Sequence, residues 1–243
     1  MRTDTITENS VSRADRLSYE RNKRLFDVAV ACLAGAALSP VIAACAVLVR
    51  LGGPGPVFYA AQRVGRRGHL FRMYKFRTMV DRPVQGSRIT GPTDPRVHRT
   101  GAFLRRSKLD ELPQLFNVIR GDMSLVGPRP EDPEIVADHY TPVMRETLSV
   151  RPGLTSPGSL FGSTHGDGYL NPQDPEESYI EHLLALKLAM ERVYIRDRSF
   201  GYDLRLIGRT LRLLARSAIG RTDFPDPPEL RRAKELLARD AKP

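Results

Sequence analysis

Residues 26–49 read FDVAVACLAGAALSPVIAACAVLV. Apart from Asp27 near its start, the run holds only apolar and small residues, with a Ser39-Pro40 pair in the middle. At about 1.5 Å of rise per helical residue it is long enough to cross a hydrocarbon core of about 30 Å. Its flanks argue against a simple crossing. Arg21, Lys23 and Arg24 precede it and Arg50, Arg63, Arg66 and Arg67 follow it, so the charge asymmetry that orients a spanning helix is missing. Pro40 has no backbone N–H and its ring crowds the Ala36 carbonyl, while the Ser39 hydroxyl is placed to bond back to the Gly35 carbonyl and hold a bend. One reading is a re-entrant helix–break–helix over 22–51 that dips into a bilayer and returns, each arm about 20 Å long. A single-pass anchor with a tolerated proline is the alternative. The run exceeds an ordinary signal core and lacks a small-x-small cleavage site after it, so it is expected to be retained.

Outward from this segment, 243 residues suffice for a buried core, and 38 Lys+Arg against 28 Asp+Glu leave a formal charge of +10. That excess suits a polyanionic partner: nucleic acid, an anionic membrane face or a phosphorylated small molecule. Cys32 and Cys45 lie inside the apolar run and read as small hydrophobes. Residues 1–18 are polar without periodicity and read as a mobile leader. GGPGP at 52–56 is a turn; VFYAAQRVG and HLFRMYKFRTM read as a basic hairpin around 65–68. The stretch 81–101 reads as a loop, and AFLRRSKLDELPQLFNVI (102–119) as a helix stopped by Gly121. A long Gly/Pro/Ser loop is expected over 151–175, followed by helices in PEESYIEHLLALKLAMERVYIRD and YDLRLIGRTLRLLARSAI. In the second of these Leu204, Ile207, Leu211 and Leu214 form a stripe with Arg205, Arg209, Arg212 and Arg216 largely outside it, as in a helix lying on an anionic membrane or one packed with a solvated arginine face. Residues 221–243 read as a charged tail holding a short peripheral helix.

The candidate chemistry lies in SKLDELPQLFNVIRGDMSLVGPRP, residues 107–130. Asp110 and Glu111 are adjacent, so on a helix they point about 100° apart and would need different jobs. Acids in a first turn also simply complement the helix dipole. Here, however, Arg105, Arg106 and Lys108 precede them. A helix N-terminus among cations favours phosphate, and a carboxylate kept ionised by arginines can attack phosphorus or carry a divalent metal. Arg129, stiffened between Pro128 and Pro130, suits bidentate phosphate capture. Lys75 and Arg77 alternate with aromatics in YKFRTM, which fits either anion binding or a solvated edge strand. No Walker loop, dinucleotide fingerprint, zinc pattern or nucleic-acid-binding motif accompanies them.

Taken together, KRLFDVAVA…LSPVIA at 23–43, YKFRTM at 74–79, the 107–130 block and VRPGLT at 150–155 resemble the bacterial sugar transferase family, the monotopic polyprenyl-phosphate phosphoglycosyl transferases, in its minimal catalytic form. The resemblance covers about residues 20–215. It implies an α+β, mostly helical fold: a membrane-embedded re-entrant helix with Ser39 and Pro40 at its break, and a single catalytic domain over 19–220 with a small hairpin and interfacial amphipathic helices. It implies transfer of a sugar phosphate from a UDP-sugar to undecaprenyl phosphate at the cytoplasmic face of a bacterial inner membrane, with Mg²⁺ and without nucleic acid, and it is compatible with a homo-oligomer. Carried over by motif, Asp110 is the nucleophile and metal contact, Glu111 its catalytic partner and Arg129 a phosphate ligand. Lys75, Arg77, Arg105, Arg106 and Arg151 are candidate phosphate or substrate contacts. The family's frequent RPGLTGWAQVNGR stretch stands here as RPGLTSPGSLFGSTHG, which leaves sugar identity open. The reading from a different class is a membrane-anchored basic adaptor without catalysis.

Overall fold

The computed structural model describes residues 13–79, 94, 96–221 and 223–241. Of the leader expected over 1–18, residues 1–12 lie outside the described residues, whereas 13–18 already belong to helix α1 (Arg13–Ala37). Most of the loop expected over 81–101 also falls outside the described residues, and its last residues open helix α3 (Arg99–Arg106).

Helix α1 meets α2 (Ser39–Leu51) at a 64° bend. Among the described residues no single helix is long and apolar enough to cross a membrane, whereas this bent pair passes that length and composition test together. The Ser39 hydroxyl donates to the Ala36 carbonyl at 2.8 Å, one residue nearer than the Gly35 carbonyl expected, because the helix already breaks at Leu38. Pro40 then falls in the first turn of α2, where a missing N–H costs nothing, so the chain restarts a helix rather than kinking one. The first half of α1 is locked to the body. Asp27 is buried between Lys23 at 3.5 Å and the Ser124 hydroxyl at 2.6 Å, and Lys23 also reaches Asp203 at 3.1 Å. Asp203 in turn accepts from Tyr19 at 2.8 Å and Tyr194 at 2.7 Å. Buried charges persist when paired and hydrogen-bonded in this way. Beyond this lock, α2 packs Cys45 and Val49 against Phe76 and Leu104, leaving Val47, Leu48 and Leu51 exposed.

Strands β1 (Phe58–Val64) and β2 (Leu70–Phe76) form the expected antiparallel hairpin, pairing Phe58 with Phe76 and Val64 with Leu70. The outer edge of β2 is closed by one side chain. Asn117, wholly buried on α4 (Gln114–Arg120), accepts from the Tyr74 N–H at 3.0 Å and donates to the Arg72 carbonyl at 2.7 Å. Gly121 ends α4 at φ 100°, the left-handed cap its position predicts. Just past β2, the buried Arg77 guanidinium donates to the carbonyls of Gly53 at 2.7 Å, Val49 at 3.4 Å and Pro54. It thereby clamps the GGPGP turn onto the last turn of α2. Arg77→Ala is expected to lower stability by about 3 kcal/mol by stranding three carbonyls, with Arg77→Lys recovering little because an ammonium has no planar fork. A denaturation midpoint measures this.

The remaining chain is helical around a short parallel pair, β3 (Ser124–Val126) and β4 (Gly153–Thr155). Helix α5 (Pro133–His139) leads away from the 107–130 block. The loop expected over 151–175 contains β4 and helix α6 (Pro157–His165). Ser156 caps α6 by accepting from the Ser159 N–H at 3.0 Å, with Pro157 in its first turn, a start signal that outweighs the glycine and serine content. Helix α7 (Pro175–Ser178) runs through a π-turn at Tyr179–Leu184 into α8 (Ala185–Asp197). In α9 (Phe200–Ala218) Leu206 and Asp203 face the core, while Leu204 and Leu211 of the expected stripe are exposed. Helix α10 (Glu229–Asp240), in the segment read as a peripheral tail, instead buries Leu230 and Ala233 in the core formed with α8.

Candidate active site

The single helix expected over 102–119 is broken into three pieces. Helix α3 ends at Ser107, whose hydroxyl donates back to the Phe103 carbonyl at 2.8 Å and so closes α3 instead of capping the next helix. Lys108 follows at φ 58°, a left-handed conformation that costs an L-residue about 1–2 kcal/mol. Leu109–Glu111 form a 3₁₀ turn, and α4 starts only after Pro113. The reversal at Lys108 turns Asp110 inward while Lys108 stays exposed.

The adjacent acids occupy opposite electrostatic environments. Glu111 receives the Arg129 guanidinium at 2.8 Å and the Lys75 ammonium at 3.2 Å on one carboxylate oxygen. Burial raises its pKa, but Arg129, Lys75 and Lys108 outweigh burial and hold the carboxyl well below the usual range. Asp110 is only 5% exposed, and its Oδ1 has no hydrogen-bond partner. Burial pushes its pKa up, Glu111 adds to the rise, and Lys75, Lys108 and Arg105 oppose it. The Lys75 pKa is lowered by burial against the pull of Glu111; that of Arg129 is raised by Glu111.

Arg129 is placed from behind. At Gly127 and Gly153 the backbones of β3 and β4 approach so closely that a Cβ on Gly153 would lie 2.1 Å from the Gly127 nitrogen, and the Gly153 N–H donates to the Pro128 carbonyl at 2.9 Å. Glu191 of α8, fully buried, takes the Ser156 hydroxyl at 2.6 Å and the Arg129 N–H at 3.5 Å. Burial pushes the Glu191 pKa up to about 7, opposed by the Ser156 bond. Beside it, Lys187 donates to the Tyr179 hydroxyl at 2.8 Å, and that hydroxyl donates to Glu131. None of these supporting residues was singled out from sequence. For Glu191 the readable signal was a lone acid within the apolar α8 segment LALKLAMERVYI.

The structure therefore joins Asp110, Glu111, Arg129 and Lys75, adds Lys108, and puts Arg105 within electrostatic reach of Asp110. Arg106 is exposed. Arg77 is spent on backbone carbonyls, and Arg151 donates to the Gly121 carbonyl at 3.1 Å beside Arg24 and Arg66, apart from the acids. An apolar groove of about 270 Å³ opens from the cluster, with Lys108, Glu111 and Arg129 at its polar end and Leu38, beside the Ser39-Pro40 break, in its wall. Among the described residues no three His, Cys, Asp or Glu side chains gather as a metal cage.

Fold and site define an α+β, mostly helical protein in which a buried acid, Asp110, is surrounded by Lys75, Lys108 and Arg105. The family model described as "Bacterial sugar transferase" matches residues 18–217, and the chain belongs to that family. It is 36% identical over 199 residues to the UDP-N-acetylgalactosamine-undecaprenyl-phosphate N-acetylgalactosaminephosphotransferase of Aeromonas hydrophila, covering 81% of this chain and 44% of that one. It is 36% identical over 197 residues to the undecaprenyl-phosphate glucose phosphotransferase of Komagataeibacter xylinus, covering 78% and 35%. The exopolysaccharide production protein ExoY of Sinorhizobium fredii is 35% identical over 209 residues, covering 78% and 84%. The chain spans less than half the length of the first two.

Proposed function

We propose that the chain transfers a sugar phosphate from a UDP-sugar to undecaprenyl phosphate, releasing UMP and starting a lipid-linked glycan. The observation that carries this reading is the unequal state of neighbouring acids: Glu111 is consumed by Arg129 and Lys75, while Asp110 keeps an unpartnered oxygen in the same cationic surround. Environments that push two carboxyl pKa values apart assign them different roles.

In this mechanism an Asp110 carboxylate oxygen attacks the sugar-bearing phosphorus. A bond from Asp110 to phosphorus forms, the bond to the UMP oxygen breaks, and UMP leaves with the electron pair. An oxygen of the acceptor phosphate then attacks the same phosphorus, expelling the Asp110 carboxylate and leaving a lipid-linked diphosphosugar. Glu111 holds Arg129 and Lys75 in place so that their remaining donors meet the phosphate oxygens without reorganising. The donor set fits Mg²⁺, which is commonly held by one or two carboxylates plus substrate phosphates; Asp110, through its free oxygen, is the residue that would hold it. When bound, the ion neutralises charge on the diphosphate. The bent α1–α2 pair would sit in the cytoplasmic leaflet of a bacterial inner membrane, with exposed Leu204 and Leu211 of α9 at its surface. This would bring the buried acid level with a lipid phosphate.

The test is UMP release by detergent-extracted protein with Mg²⁺ and undecaprenyl phosphate across a panel of UDP-sugars. Release with at least one sugar is the expected result, and none across the panel refutes the transferase reading. The attack requires ionised Asp110, whose pKa is already raised by burial. Lys75→Met removes a cation that lowers it, so the acid limb of kcat against pH moves to higher pH; an unmoved limb would take Lys75 out of this role.

A further inference from the structure

We propose that the cavity between the first half of α1, the hairpin turn and the approach to β4 is a binding site for one phosphate group, separate from the catalytic acids. It measures about 40 Å³. That is room for about three waters, which suits a single tetrahedral oxyanion and excludes a nucleoside or a sugar. Its walls carry Lys23 and Arg24 of α1, Arg66 of the turn, Arg151 before β4 and Arg198 after α8. None of the residues gathered around Asp110 lines it.

The chain's own acids do not balance these cations. Lys23 is matched by Asp27 at 3.5 Å and Asp203 at 3.1 Å, while Arg66 and Arg198 share Glu20 at 3.3 Å each. Among the described residues Arg24 and Arg151 pair with no acid. Arg24 donates to the carbonyls of Val118 at 2.6 Å and Ile119 at 2.9 Å, and Arg151 donates through Nε to that of Gly121 at 3.1 Å, which leaves its two terminal nitrogens unbonded. The end of α4 offers about half a negative charge, too little for two guanidinium groups. Burial, and then the charges of Arg66 and Arg24, lower the Arg151 pKa; an anion set among these arginines relieves that repulsion. Phosphate is the fitting anion, because guanidinium forks engage its oxygens two at a time. Bound there, it ties α1 to the hairpin, to β4 and to the end of α8. It also gives a role to Arg151 of the VRPGLT motif, which the catalytic cluster leaves unused.

The experiment uses the full chain in detergent with inorganic phosphate as the probe, at an ionic strength held constant with chloride, and reads melting temperature against phosphate concentration. At about five times its Kd, phosphate is expected to raise the midpoint by about 2–4 °C. Each variant is compared with its own phosphate-free midpoint. Arg66→Gln and Arg151→Gln should weaken binding about tenfold, whereas Glu20→Gln, which releases Arg66 and Arg198, should tighten it about threefold. Arg129→Met, in the catalytic cluster, should leave the affinity unchanged. Dihexanoyl phosphatidic acid separates the two sources of such a group: tighter binding than phosphate assigns the site to a lipid headgroup, and equal or weaker binding assigns it to free phosphate. A midpoint indifferent to phosphate, weaker binding by Glu20→Gln, or a response lost in Arg129→Met and kept in Arg151→Gln would overturn the site. The measurement needs neither sugar donor nor turnover. Its failure leaves the transferase reading standing, and a chain that binds phosphate here yet releases no UMP keeps the site and loses that reading.

Discussion

Asp110→Asn is expected to abolish UMP release while raising the melting temperature by about 2–4 °C, equivalent to about 1 kcal/mol for a chain of this size. The amide cannot serve as the attacking oxyanion, and loss of a covalent nucleophile removes several orders of magnitude in rate. The stability gain has its own sign. An acid whose folded pKa stands above its unfolded value stabilises most when protonated, below the unfolded value, and its contribution is lost as pH rises through the folded one. Asp110 is such an acid, because burial raises its pKa. At neutral pH it is a buried charge with an unpartnered oxygen, and asparagine removes that charge. The melting-temperature gap between parent and variant should therefore close in acid. A variant that melts lower than the parent at neutral pH would show that Asp110 is a structural partner instead.

Arg129→Met should act in the opposite direction on stability. It leaves Glu111 to Lys75 alone, in a site where Glu111 is 17% exposed and Arg129 31%. Removing one partner of a fully buried pair costs about 3–5 kcal/mol, and the partial exposure here scales that to about 2 kcal/mol. The Glu111 pKa is held low, so this contribution is present above the unfolded glutamate value of about 4.3 and is lost as pH falls through the lower folded value. Turnover should drop at least a hundredfold through the lost phosphate donors. Arg129→Met with Glu111→Gln should regain most of the stability and none of the turnover, because the uncompensated acid is gone but the donors are not restored. Recovery of UMP release in the double variant would remove Arg129 from phosphate binding.

Much of this was legible in the sequence where one residue decides a local conformation. Pro40 marked the break between α1 and α2, Gly121 the end of α4, and the turn at 65–68 the hairpin. The order of motifs from 23 to 155 pointed to the family that the comparison then showed. What stayed hidden depended on neighbours distant in the chain. Nothing local says that Arg77 turns to the carbonyls of 49–54 while Lys75, two residues earlier, reaches Glu111. Nor does periodicity reveal the reversal at Lys108, since AFLRRSKLDELPQLFNVI keeps its apolar spacing through a break imposed by tertiary burial of Asp110. Asp27 looked like an edge charge and is an internal anchor, because Ser124 and Lys23 come to it from the fold. At α6 the glycines and serines suggest a loop, whereas the Ser156-Pro157 start signal sets a helix.

Helix α10 carries a practical consequence. The family match ends at residue 217, yet Leu230 and Ala233 lie in the core, Glu229 takes the Arg209 guanidinium at 2.6 Å, and Arg192 pairs with Asp240. The family match and the packed core thus have different edges. A fragment cut where the family match stops would keep Asp110, Glu111, Lys75 and Arg129 and lose the clasp between α10 and helices α8 and α9, so its inactivity would report on folding, not on the proposed site.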